Sequence, residues 1–94
     1  MKKLQTDEDR VDEDLKVAQF YENKGDLNAA YLRVKDAVKS LPTDSEIHYE
    51  LARIAQKMNK HDEAVAEYSA YLKLEPDGQY IKQAQKALNE LGQP

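Results

Sequence analysis

Apolar side chains recur every three or four residues along most of the chain, the spacing that places them on one face of an α-helix. Four short polar segments interrupt this pattern, and they contain Gly25, Pro42, Asn59 and Pro76. Gly and Asn readily adopt the left-handed conformation that ends a helix, and Pro cannot continue one. The pattern therefore predicts an all-α protein of five helices. In chain order, the predicted apolar stripes contain Val17, Ala18 and Tyr21; Leu27, Ala30, Tyr31, Val34, Ala37, Val38 and Leu41; Ile47, Leu51, Ile54, Ala55 and Met58; Ala64, Val65, Tyr68, Tyr71, Leu72 and Leu74; and Tyr80, Ile81, Ala84, Ala87, Leu88 and Leu91.

Polar residues ahead of these stripes predict where the helices begin. An N-cap oxygen accepts a hydrogen bond from a first-turn N–H group that otherwise has no partner. We therefore expect Asp26 to cap the second helix, Thr43 or Asp44 the third, and Asp77 the fifth. The acidic run from Asp7 to Asp14 is interpreted as a solvated helix start, where the positive end of the helix dipole favours carboxylates. An acidic contact for a basic partner is the alternative.

The chain also repeats itself with a period of 34 residues. At this displacement Val17 coincides with Leu51 and Phe20 with Ile54, so the apolar character is repeated. The period predicts two helix-pair units over residues 11–44 and 45–78, and a capping helix over residues 79–92. Residues 9–94 are expected to form a single domain, and residues 1–8 a flexible segment. Identical residues coincide at Ala18 and Ala52, Ala30 and Ala64, Lys39 and Lys73, and Pro42 and Pro76.

These units resemble the tetratricopeptide repeat family, whose members are α-solenoids of antiparallel helix pairs. The final helix resembles the family's solvating C-terminal helix. The residues that match the family pattern in the first unit are Val17, Ala18, Tyr21, Gly25, Asp26, Leu27, Ala30, Val34, Ala37 and Pro42. Those in the second unit are Leu51, Ala52, Ala55, Asn59, Lys60, His61, Ala64, Tyr68, Tyr71 and Pro76. The usual early aromatic residue is replaced by Asp14 in the first unit and by His48 in the second.

Large and small residues have exchanged places between the units. Tyr21 corresponds to Ala55, and Ala37 corresponds to Tyr71. Cores tolerate substitution best when total volume is kept, so we interpret the exchange as compensated packing. Tyr21, Tyr68 and Tyr71 are therefore predicted to lie in the core.

The resemblance implies a protein–protein interaction module that holds a protein or peptide segment in a concave groove lined by the first helix of each unit. Tyr49 with Arg53 one turn later has the composition favoured at binding hot spots. Sealing the seam between neighbouring helices is an equal alternative for Tyr49. The residues carried over to this groove are Leu15, Gln19, Glu22, Asn23, Tyr49, Arg53, Gln56 and Lys57.

Some family members grip the C-terminal carboxylate of a chaperone with Lys, Arg and Asn. The matching positions here lack any cation, so we expect no binding of that kind. These positions are Leu15, Gln19, Glu50, Tyr80 and Ala84. The alternative function is assembly, in which the chain stacks on itself or on further repeats of a larger parent protein.

Charge and motifs exclude several other function classes. The formal net charge is −4, from 14 basic and 18 acidic residues, which argues against nucleic acid as a partner. There is no Cys, no Gly-rich phosphate loop, and no pair of His residues one helical turn apart. We therefore expect no catalytic residues, metal or cofactor. Without a long apolar run or a secretory signal, the chain is expected to be cytoplasmic and not inserted in a membrane, unless it is a fragment of a longer protein.

Overall fold

The computed structural model describes residues 6–92, which contain five α-helices and no strand. The helices are α1 (Asp7–Asn23), α2 (Leu27–Ser40), α3 (Ser45–Lys57), α4 (His61–Leu74) and α5 (Ile81–Glu90). The all-α prediction is therefore confirmed. The chain divides into two compact units, the first ending at Pro42 and the second beginning at Thr43. α1 packs against α2 in the first unit, and α4 packs against both α3 and α5 in the second.

The predicted domain of residues 9–94 stays a prediction. Residues 1–5 of the predicted flexible segment lie outside the described residues. Asp7 and Glu8 belong to α1, because Thr6 closes a capping box with Asp9. The Thr6 hydroxyl oxygen accepts from the Asp9 N–H group at 3.0 Å, and the Asp9 carboxylate accepts from the Thr6 N–H group at 3.3 Å. The helix consequently starts before the first apolar residue of its stripe.

Two of the predicted N-caps are confirmed and one is wrong. Asp26 accepts a hydrogen bond from the Ala29 N–H group at 3.1 Å, and Asp44 accepts one from the Glu46 N–H group, also at 3.1 Å. Asp77 caps no helix, because α5 begins only at Ile81 and has no side-chain cap. The backbone before α5 is held instead by a hydrogen bond from the Tyr80 N–H group to the Tyr71 hydroxyl. Local sequence does not reveal this contact.

The same turn connects the two helices of each pair. Gly25 (φ 82°) and Asn59 (φ 61°) both adopt the left-handed conformation, as their residue types predicted. In the first turn the Asp26 N–H group donates to the Tyr21 carbonyl at 2.9 Å. The Lys60 N–H group donates to the Ala55 carbonyl at the same distance in the second turn. Because these residues are 34 positions apart, the repeat extends to backbone hydrogen bonding.

The buried face of α1 differs from its predicted stripe. Val17 and Tyr21 are only partly buried, although both were assigned to the core stripe. The face instead includes Val11, Asp14 and Ala18, which are spaced by three and four residues. Small residues cover much of the α2 side of this interface, where Ala30, Val34 and Ala37 are buried.

A cluster of tyrosines forms the centre of the second unit. Tyr68 and Tyr71 are buried, as predicted, and both contact Tyr49. The ring of Tyr49 stacks on that of Tyr80 with a centroid distance of 4.3 Å and an interplanar angle of 8°. Leu88 and five buried alanines complete this cluster. The alanines are Ala52, Ala55, Ala64, Ala84 and Ala87. At the two exchanged positions of this unit, Ala55 is 0% exposed and Tyr71 is 2% exposed.

Candidate partner-binding site

A groove of about 450 Å³ lies between α3 and α5 in the second unit. Its residues on α3 are spaced at three and four positions, so one face of that helix forms one wall. The opposite wall comes from α5, and Tyr68 of α4 contributes to the floor. We call this site the α3–α5 groove. Its lining residues are Tyr49, Arg53, Gln56, Lys57, Tyr68, Gln83, Lys86, Ala87 and Glu90.

Aromatic and small apolar side chains form the floor of the groove. Tyr68 is buried, and its hydroxyl donates a hydrogen bond to the Gln56 side-chain oxygen at 2.7 Å. Burial raises the pKa of Tyr68 to about 12, with a smaller contribution from the nearby Tyr49. The phenol therefore stays neutral at physiological pH and remains a hydrogen-bond donor. The floor thus offers ring surface and a fixed amide rather than an ionisable group.

Charged side chains surround this floor. The Arg53 guanidinium donates to the Glu50 carboxylate at 2.6 Å, three residues earlier on the same helix. Lys57 and Lys86 are exposed on opposite walls, and Glu90 is the single carboxylate that lines the groove. The rim is therefore richer in positive than in negative charge, whereas the whole chain carries a net charge of −4.

The structure brings together the four predicted site residues of α3. Tyr49, Arg53, Gln56 and Lys57 all line the α3–α5 groove. The other four predicted residues lie on α1 in the first unit. Leu15 and Glu22 are partly buried there, and Gln19 and Asn23 are exposed.

Tyr49 is less accessible than its predicted place on a polar helix face implied. Only 8% of this residue is exposed, and its ring packs among three other tyrosines. Tyr49 nevertheless lines the groove. Of the two interpretations weighed for this residue, the burial agrees with sealing between helices.

Sequence reasoning missed the α5 wall of the groove. The residues that form it, Gln83, Lys86, Ala87 and Glu90, recur every three or four positions. That spacing is visible in the sequence, but the prediction for the final helix is only that of a capping helix. Which face of α5 lies opposite α3 depends on tertiary packing.

A polar pair occupies the same repeat positions in both units. In the first, Arg33 of α2 donates to Asp14 Oδ1 at 3.3 Å. In the second, His48 Nδ1 lies 2.5 Å from Glu67 Oε2. Both partners are displaced by 34 residues, and the acidic and basic members have exchanged helices. Asp14 and His48 stand at the place of the family's early aromatic residue, and neither pair lines the α3–α5 groove.

Asp14 corrects the expectation of a uniformly solvated acidic run. It is only 3% exposed, whereas Asp7, Glu8 and Asp9 are exposed in the first helical turn. Asp14 Oδ2 has no hydrogen-bond partner among the residues the structure describes. The pKa of Asp14 is raised from 3.8 to about 6, by burial first and then by the Asp36 carboxyl, while Arg33 lowers it in part.

Residues 6–92 contain neither a metal-binding cluster nor a membrane-spanning helix. No group of three or more His, Cys, Asp or Glu side chains in that range is placed to hold a metal ion. None of the five helices there is long and apolar enough to cross a membrane.

Comparison with known families identifies the fold. A family model described as tetratricopeptide repeat matches residues 23–88, which cover the second helix of the first unit and nearly all of the second unit. A search of curated proteins found no significant match to the sequence. The match covers more than half of the chain, and it agrees with the five helices and their repeated turn. The chain therefore belongs to the tetratricopeptide repeat family.

Proposed function

We propose that this chain binds a peptide or protein segment in the α3–α5 groove and has no catalytic activity of its own. Members of the tetratricopeptide repeat family are generally protein–protein interaction modules. The observation that carries the proposal is that four residues chosen from the repeat register line one groove of about 450 Å³.

The chemistry of the groove favours an acidic segment that carries an apolar or aromatic side chain. The floor presents the edge of Tyr49, the ring of Tyr68 and Ala87, against which an apolar side chain can pack. Arg53, Lys57 and Lys86 surround that floor with positive charge. Glu50 and Glu90 offset this charge only in part, so complementary carboxylates on the partner favour encounter and correct orientation.

The same lining supports a binding role rather than catalysis. General acid–base chemistry needs a group whose pKa lies near the working pH. The high pKa of Tyr68 makes its hydroxyl a poor base and a poor acid in that range. The other polar lining groups are the Tyr49 phenol, two amides, three cations and one carboxylate.

We also propose that the α1 residues belong to the binding surface. Leu15, Gln19, Glu22 and Asn23 occupy the positions 34 residues before Tyr49, Arg53, Gln56 and Lys57. The first helix of each unit then contributes equivalent positions to partner contact. The absence of a chaperone-type carboxylate grip stays part of the proposal, because Glu50 opposes an incoming carboxylate at one of its positions.

Reversal of charge at the groove rim is expected to weaken binding at least tenfold. A random peptide library displayed on phage is selected against the chain, and recovered peptides are measured by fluorescence anisotropy. We expect enrichment of acidic peptides with an aromatic residue, and loss of their affinity in Lys57→Glu/Lys86→Glu. Both lysines are exposed, so the fold is retained, whereas Tyr49→Ala would disturb the core.

The matched control is Lys73→Glu/Lys82→Glu, which changes the net charge equally at two exposed positions outside the groove. Affinity in this control is expected to stay within about twofold, because distant surface charges are screened. Equal binding to both double variants, or selection of peptides without acidic residues, would contradict the proposed groove.

Assembly is the second candidate function, and one observation favours it. Phe20 on α1 is 54% exposed, whereas Ile54, at the equivalent position of the second unit, is 1% exposed. The first unit thus exposes a large apolar side chain at a position that is buried in the second unit. Such a face is suited to contact with another protein chain.

A further inference from the structure

The exposed face of α1 contains a stripe with a symmetric sequence pattern. Glu13, Val17, Phe20 and Lys24 are separated by four, three and four residues, so they lie along one side of the helix. Lys24, the C-cap residue, keeps right-handed helical geometry with φ −83° and ψ −6°. Val17 is partly buried and the other three residues are exposed. We call these four residues the α1 stripe.

When a second copy of α1 runs in the opposite direction, each residue of the α1 stripe lies opposite a residue of complementary character. The midpoint of the stripe falls between Ala18 and Gln19. If a second α1 is laid antiparallel about a two-fold axis at that midpoint, Val17 faces Phe20 of the other copy. Glu13 then faces Lys24 of the other copy, and symmetry repeats both contacts.

Charge selects this antiparallel arrangement. A parallel pair in register places Glu13 beside Glu13 and Lys24 beside Lys24, and both contacts are repulsive. The antiparallel pair replaces them with two attractive contacts at the ends of an apolar centre. The Lys24 ammonium already lies 4.7 Å from the centroid of the Phe20 ring, so it stands beside that centre. Tyr21 holds the Phe20 ring edge-on at a centroid distance of 5.5 Å.

The repeat itself indicates that this face accepts a packed neighbour. Val17 and Phe20 correspond to Leu51 and Ile54, which are both 1% exposed. The positions are therefore compatible with full burial in this fold, and the first unit carries side chains of suitable size and polarity at both.

We propose that two copies of this chain pair through the α1 stripe as an antiparallel, two-fold symmetric helix contact. The proposal rests on the assembly candidate and specifies its surface and its partner, a second copy. A contact of one helix per chain lies at the low end of interface size, below about 1,200 Å². The dimer is consequently reversible and dependent on protein concentration.

Charge exchange at the ends of the stripe tests the pairing. Sedimentation equilibrium of the full chain, from about 10 µM to about 1 mM, reports the dimer dissociation constant. Glu13→Lys and Lys24→Glu are each expected to weaken the dimer at least tenfold, because each variant creates two repulsive contacts. The double variant Glu13→Lys/Lys24→Glu restores the attraction and is expected to return within about threefold of the wild-type value.

Mixing supplies an independent signature of the two-fold pairing. The two single variants are each expected to be monomeric alone but to form a heterodimer in an equimolar mixture, since both facing pairs are then of opposite charge. Phe20→Ser removes the apolar centre and is expected to abolish association. Its circular dichroism and melting should stay close to wild type, because Phe20 is 54% exposed. Asp12→Lys, also exposed on α1 but off the stripe, is the control and should leave the dimer unchanged.

The outcomes separate the pairing from the broader assembly role. A wild-type chain that stays monomeric throughout the range overturns both. If the chain associates but the single charge variants behave as wild type, or the double variant fails to recover, the α1 pairing is wrong and assembly must use another surface. Weakening by each single variant with recovery in the double variant and in the mixture supports the proposal.

Discussion

Tyr71→Ala is expected to lower the free energy of unfolding by about 4 kcal/mol, the largest effect of any substitution considered for this chain. Tyr71 is buried beside the stacked rings of Tyr49 and Tyr80, at centroid distances of 5.4 and 6.2 Å. Its hydroxyl oxygen also accepts the Tyr80 N–H group at 2.7 Å, which holds the backbone that leads into α5. Truncation therefore leaves a cavity and releases the start of the last helix.

Urea unfolding followed by circular dichroism measures this loss. Domains of this size are stable by roughly 5–15 kcal/mol, so Tyr71→Ala removes a large part of the total. Tyr71→Phe is the matched comparison because it keeps the ring and deletes only the acceptor for Tyr80. That variant is expected to cost about 1–2 kcal/mol, the penalty for one unsatisfied backbone donor. A loss below about 1 kcal/mol for Tyr71→Ala would mean that the tyrosine cluster is not the core of the second unit.

Asp14→Asn is expected to change how stability depends on pH. The pKa of Asp14 is raised from its ordinary value of 3.8 to about 6 in the folded chain, by burial first and then by Asp36. The folded state therefore binds this proton more tightly than the unfolded state. Its stabilising contribution is complete below about pH 4 and is lost as the pH rises through about 6.

Stability curves of the two forms show this effect as a difference. As the pH rises from about 4 to about 7, the unfolding free energy of Asp14→Asn should increase by roughly 2–3 kcal/mol relative to that of the wild type. Arg33 is half exposed, so water can solvate it once the carboxylate is gone. The control is Asp12→Asn, at an exposed position of the same helix. Its curve of unfolding free energy against pH should be parallel to that of the wild type. Parallel curves for Asp14→Asn would show that the buried carboxyl is not a source of pH dependence.

The exchanged polar pairs show how two copies of one motif diverge. Asp14 and Arg33 in the first unit, and His48 and Glu67 in the second, satisfy one geometric requirement with opposite placement of charge. Each pair joins the two helices of its own unit. Charged and polar pairs at a buried position stabilise little in net terms, but removal of one partner leaves the other desolvated. The exchange therefore requires that both members of a pair change together.

Local features of the sequence determined the secondary structure and much of the repeat. The left-handed turns at Gly25 and Asn59 and the caps at Asp26 and Asp44 depend on backbone conformation and on hydrogen bonds between residues close in the chain. Such interactions are readable without knowledge of the rest of the fold. The helical spacing that placed four groove residues on one face of α3 is local in the same sense.

Tertiary structure alone decided which of these faces are buried and what lies opposite them. Periodicity assigned Tyr49 to a polar face and Asp14 to a solvated run, yet both are buried by neighbouring helices. Asp77 is a suitable cap by residue type, but the segment before α5 is fixed by the Tyr71 hydroxyl, nine residues from its backbone partner. The α5 wall of the groove was missed for the same reason. Burial is a property of how helices pack, and residues distant in sequence determine it, whereas caps and turns are determined within a few residues.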